Sequence, residues 1–119
     1  MPTAAKSIHI VYAQWCPHCE PLTIEPILEA AAQLGVPCKV HDIDTDDVKA
    51  ADDLVRNHGD WSPDYLVPQV FVELTDGEIR HVLTGDPRGL DFTRRAIEGF
   101  LKGGFYESLK AAIPAKEEG

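Results

Sequence analysis

The chain has 119 residues, 44% of them apolar and 26% charged, which fits one globular domain and leaves little room for a second. A formal net charge of −9, from 20 acidic and 11 basic side chains, argues against nucleic acid and anionic membrane as partners, because both demand basic patches. Three cysteines leave one over after any pairing, which argues against a secreted disulfide scaffold; a domain of this size needs no such staples, a requirement that begins below ~40 residues.

Residues 7–13 (Ser-Ile-His-Ile-Val-Tyr-Ala) are rich in β-branched and aromatic side chains and read as a strand. Their apolar run is too short for a signal peptide or a membrane span and is interrupted by His9, so a cytoplasmic protein is expected. Residues 17–35 read as a helix, with Ile24, Ile27, Leu28, Ala31 and Leu34 at helical spacing and Gly35 as its stop. Pro21 is harmless in a first turn, whereas Pro26 lies deeper and is expected to kink the helix. Residues 38–43 form a second strand, with Val40 apolar between Lys39 and His41. Thr45 or Asp46 caps a second helix running to about His58, with Val48, Ala51, Leu54 and Val55 as its buried stripe.

Residues 59–66 form a loop containing Trp61, Pro63 and Tyr65. Residues 67–74 and 78–83 are the third and fourth strands, joined through Thr75-Asp76-Gly77, where Asp-Gly is a strong hairpin signal. Residues 85–89 turn the chain, and residues 90–102 form a last long helix with Ala96, Ile97, Phe100 and Leu101 inward. Gly103-Gly104 ends it, residues 105–113 form a short extra helix, and residues 114–119 a frayed tail. The order β-α-β-α-β-β-α predicts one mixed α/β sheet with helices over both faces, since a helical crossover implies a parallel first pair and the tight turn an antiparallel last pair.

Cys16 and Cys19 follow the first strand and are expected to open the first helix. A helix N-terminus directs unpaired N–H groups and partial positive charge at what sits there, which favours a thiolate at Cys16. Cys19, one turn on, lies within reach of a mixed disulfide on Cys16, and the two thiols together are what two-electron disulfide exchange needs. The same pair can hold a metal. Structural zinc then wants two more ligands, and Cys38 and the histidines at 9, 18, 41, 58 and 81 form no second closely spaced pair with a cysteine.

The stretch Trp15-Cys16-Pro17-His18-Cys19 resembles the active-site motif of the thioredoxin superfamily. Val67-Pro68-Gln69-Val70-Phe71-Val72 is similar to the segment carrying that superfamily's cis-proline, closest to the glutaredoxin version. The Asp76-Gly77 hairpin and Gly85 match as well, so the resemblance covers residues 8 to about 101. It implies a single thioredoxin-like domain with its core at about 7–102 and a short helix and tail at 103–119. It implies that Cys16 is an exposed nucleophile, that Cys19 is the shielded resolving thiol, and that Pro68 is cis beside the dithiol. The Val67 backbone then pairs with an extended substrate as an added strand does, with Trp15 and Pro17 beside it.

Two positions depart from the pattern. Ile10 stands where thioredoxins carry a buried Asp on the strand before the motif, which removes that group's part in proton transfer. Pro17-His18 replaces the thioredoxin and glutaredoxin dipeptides and resembles that of the DsbA oxidase family. A histidine there donates to the Cys16 sulfur or places positive charge near it, favouring the reduced form and raising the reduction potential. The expected activity is thiol–disulfide exchange without a cofactor, by a monomer. Its partners are disulfide-bearing proteins or glutathione, with electrons from a reductase or glutathione. The alternative is a metal- or iron–sulfur-binding protein using the same cysteines. Cys38 reads as a small core side chain or a third redox site, Trp61 and Tyr65 as groove edges or loop packing, and the acidic runs 42–47 and 52–53 as solvated faces.

Overall fold

The computed structural model describes residues 4–13, 15–16, 22–45, 48–61, 66–86 and 88–112. Strand β1 (Ala5–Tyr12) sets the architecture, because its side chains alternate between two covered faces. Ile8 and Ile10 enter one core and Val11 the other, and all three are fully buried. Among the described residues, β2 (Cys38–Asp42), β3 (Gln69–Leu74) and β4 (Ile79–Thr84) complete one mixed sheet in the order β2-β1-β3-β4. β1 runs parallel to β2 with Ile8 opposite Cys38, and antiparallel to β3 with Ile8 opposite Val72. β3 and β4 are antiparallel through a turn in which Gly77 takes φ +93, a left-handed conformation open to glycine.

Helices α1 (Ile24–Leu34), α3 (Leu90–Lys102) and α4 (Gly104–Ala111) pack on the Ile8 and Ile10 face, with Ile27, Leu34, Ile97, Phe100, Tyr106 and Leu109 in its core. Among the described residues, α2 (Val48–His58) is the helix that covers the other face, through Ala51, Leu54 and Val55. The protein is therefore α/β with helices on both sides of a four-stranded mixed sheet. No helix among the described residues is long and apolar enough to cross a membrane.

Several expectations are corrected. α1 begins at Ile24 rather than near Pro17, and residues 17–21 lie outside the described residues. Pro26 is thus the third helical residue. The first helical bond runs from Ile27 N–H to Thr23 C=O, so the missing proline N–H interrupts nothing and no kink is required. Gly35 does end α1, at φ 73, with its own N–H on Ala32 C=O and that of Val36 on Ala31 C=O. The core extends beyond residue 102, because Tyr106 and Leu109 of α4 are buried in it and the Tyr106 hydroxyl donates to Gln33 Oε1 at 2.8 Å. Val40 is half-exposed because β2 is a sheet edge. The Thr45 hydroxyl donates to Asp42 C=O at 2.9 Å, while Asp46 and the tail from residue 113 lie outside the described residues.

The face under α2 carries a polar network that breaks the apolar alternation of β1. Ser7 Oγ donates to Glu73 Oε1 at 3.0 Å, and His9 Nε2 lies 3.0 Å from the same oxygen. A carboxylate only accepts, so the proton sits on His9 Nε2, and His9 Nδ1 accepts from His41 Nε2 at 3.0 Å. Burial, more than the His41 and Lys39 charges, lowers the His9 pKa below its usual 6.5 against the pull of Glu73. The hydrogen bond from His9, and then that from Ser7, lowers the Glu73 pKa below 4.5. Between 6.5 and the lower folded value the unfolded chain binds the His9 proton and the folded chain does not, so stability falls as pH drops below 6.5. The Glu73 contribution has the same sign and is lost as pH falls through its depressed folded value. The urea midpoint is expected to be lower at pH 5.5 than at pH 7.5, and His9→Gln to flatten that difference. An equal slope in the variant would assign the pH dependence elsewhere.

Candidate functional site

β1 ends its ladder at Tyr12, and Cys16 N–H then donates to Ala13 C=O at 3.2 Å, a turn that folds Cys16 back over the strand end. The residue belongs to the α2-side core together with Val11, Ala13, Leu54, Val55, Val67 and Phe71. It is 6% exposed, which corrects the expectation of an exposed nucleophile: the turn carries it into the α2-side core. As the thiol, Cys16 Sγ donates to Val67 C=O across 3.6 Å. The Val67–Pro68 bond is cis, and Pro68 is fully buried. Sequence elements far apart in the chain thus meet at one point, the end of β1 against the entry to β3.

Cys16 lies well before the first residue of α1. Residues 17–21, between Cys16 and the described start of α1, lie outside the described residues, and with them the expectation that the first helix opens at Cys16. Pro17, His18 and Cys19 lie outside the described residues. Trp15 is 66% exposed, and its indole N–H donates to Asp44 Oδ2 at 2.8 Å. Asp42, buried at the end of β2, shapes that turn by accepting from Asp44 N–H at 2.9 Å. Trp61 is also exposed, with the Arg56 guanidinium 4.1 Å from its ring centre, while Tyr65 lies outside the described residues.

Gln69 has a role that the sequence alone does not assign to it. Its side chain is fully buried and makes three hydrogen bonds to the backbone of Asp60 and Leu66, next to Val67. A glutamine leading the apolar run Val70-Phe71-Val72 is the available signal, since buried carboxamides need partners. Gly85 is the other. Its N–H donates to Pro68 C=O at 2.7 Å, and a Cβ there would stand 2.6 Å from Val67 O and from Pro68 Cδ.

Cys38 is removed from this site, on edge strand β2 beside Ile8. Burial pushes its thiol up to about 11, so it is protonated and a poor nucleophile at neutral pH. A cavity of about 300 Å³ between α2 and the sheet is lined by His9, His41, Asp53 and His58, away from Cys16. Among the described residues no group of three or more His, Cys, Asp or Glu side chains is arranged to hold a metal ion. No family model, no curated protein and no solved structure matches the chain.

Proposed function

We propose that this chain is a thiol–disulfide oxidoreductase with a thioredoxin fold, working through Cys16 and Cys19. The Cys16 thiolate attacks one sulfur of a substrate disulfide, forming a mixed disulfide and releasing the other sulfur as a thiolate. Cys19 then loses its proton and attacks Cys16 Sγ, forming the Cys16–Cys19 disulfide and releasing the second substrate sulfur. Two electrons pass from the dithiol to the substrate, and two protons complete the substrate thiols. The reverse sequence oxidises a substrate dithiol.

The observation that carries the reading is the contact of Cys16 Sγ with Val67 C=O at 3.6 Å. It puts the first cysteine of the motif against the segment that the resemblance assigns to substrate pairing. The strand order β2-β1-β3-β4, the pairing directions and the split of α2 from α1 and α3 across the sheet support the same reading. So does the cis bond before Pro68, where the resemblance implies one. In this reading Val67 and Pro68 form the substrate-binding wall, and the resemblance adds Trp15 and Pro17 as substrate-binding residues and His18 as the group that tunes the couple.

Equilibration in glutathione redox buffers tests the proposal. Positive charge or a donor from His18 acts on the thiolate of the reduced state only, so the potential is expected to be less reducing than the ~−270 mV of thioredoxin. His18→Gly is expected to move it downward. A chain with no reversible two-electron couple between Cys16 and Cys19 would remove the proposal.

A further inference from the structure

A buried carboxamide on a central strand has to find partners for one acceptor and two donor protons. Gln69 is fully buried on β3, opposite Val11 of β1 and Thr84 of β4. Its Oε1 accepts from Asp60 N–H at 3.0 Å, and its Nε2 donates to Asp60 C=O at 3.1 Å and to Leu66 C=O at 2.9 Å. The side chain thereby grips Asp60 as a paired strand residue would, through both N–H and C=O. It also holds the residue immediately before Val67.

Other groups converge on the same point. The Thr84 hydroxyl donates to Asp60 Oδ2 at 2.6 Å and lies 2.6 Å from His81 Nε2, so the Asp60 side chain is tied to β4 while its backbone is tied to β3. Gly59 lets the chain lie this close, because a Cβ there would collide with Gln69 Oε1 and stand 2.7 Å from the Phe71 ring. Both ends of the connection from α2 to β3 are thus fixed by one carboxamide. One of those ends leads directly into the carbonyl that faces Cys16 Sγ.

We infer that Gln69 is a positioning residue of the Cys16 site: by holding Asp60 and Leu66 it presents the Val67 backbone in fixed register for an extended polypeptide substrate. The inference rests on the reading of Cys16 as the reacting thiol. Such a device acts on substrates that have a backbone to pair. It does nothing for a small disulfide that meets only the sulfur.

The test compares a disulfide-bonded peptide with a small aromatic disulfide. Gln69→Glu keeps the acceptor for Asp60 N–H but sets a carboxylate oxygen against two carbonyls. Gln69→Met keeps the length and removes every bond. For the peptide, KM is expected to rise about tenfold in both with kcat within about twofold, while the rate with the small disulfide stays unchanged. Thr84→Val, which releases the Asp60 and His81 side chains but leaves every Gln69 bond in place, leaves the core intact if the Gln69 variants do not fold. It is expected to raise the peptide KM about threefold. Leu109→Ala, which destabilises the opposite face, serves as the control for folding alone. The inference is overturned if the peptide KM is unchanged in every variant, if Leu109→Ala raises it as much, or if the small disulfide slows in parallel. A wild-type chain inert toward both disulfides would remove the reading of Cys16 and this inference together, whereas an active wild type with unmoved variants would remove the inference alone.

Discussion

Cys16→Ser is expected to abolish disulfide exchange. The hydroxyl is not ionised at neutral pH, and no other described thiol can take over. Cys38 sits on an edge strand away from Val67, with its thiol pushed up to about 11. The loss should reach the detection limit, since no covalent intermediate can form without the attacking sulfur. Serine is close to isosteric with cysteine, and the Val67 carbonyl accepts from either, so the fold is expected to persist. Cys19→Ser should behave differently. The first attack still occurs but resolution does not, and a mixed disulfide through Cys16 should accumulate. Mass spectrometry of each variant after exposure to a peptide disulfide separates the two outcomes. Turnover by Cys16→Ser, or an adduct found on Cys38, would mean that the nucleophile has been misassigned.

Gly85→Ala is expected to have the second largest effect, because the added methyl has nowhere to go. It would stand 2.6 Å from the Val67 carbonyl oxygen, 3.0 Å from its carbon and 2.6 Å from Pro68 Cδ. Two of these atoms are backbone and the third is a ring carbon, so none can swing aside. Gly85 N–H is meanwhile held to Pro68 C=O at 2.7 Å. Relief requires β3 and the end of β4 to separate at the point where Val67 faces Cys16. Overpacking of this kind costs about 1–3 kcal/mol, which a lowered urea midpoint would show. Activity at temperatures where the variant is folded should fall as well, because the displaced group is the wall of the proposed site. Gly99→Ala on α3 is the matched control, since nothing lies within 4 Å of a Cβ there. Equal midpoints for the two variants would show that the Val67 segment yields easily.

The contrast between these glycines shows what the sequence could and could not disclose. Strand and helix order were legible because the periodicities of β1, α2 and α3 are strong, and Gly77 and Gly35 mark turns that demand positive φ. The close approach at Gly85 was not legible as a steric fact, because it depends on two segments distant in sequence lying against each other. The same holds for His9, which merely interrupts an apolar strand until Glu73 and His41 are brought beside it. The burial of Cys16 is not legible in the sequence for a related reason. The motif fixes what kind of sulfur stands there, while the turn through Ala13 and the contact with Val67, which place it in the α2-side core, decide how much of it meets solvent. Pro26 reversed its meaning once α1 was found to start at Ile24, since the same ring that breaks a helix interior is harmless in the first turn.

The central position of β1 has a consequence for how the chain is made. Its antiparallel neighbour β3 is encoded much later, with the partner of Ile8 at Val72. In chain order β1 can pair with β2 across the α1 crossover before β3 is made, which leaves its other edge open in that interval. Its run of Ile8, Ile10 and Val11 is in that interval open to pairing with a neighbouring nascent chain. Yield in a cell should therefore respond to chaperone supply and translation rate more than the folded protein's stability would indicate.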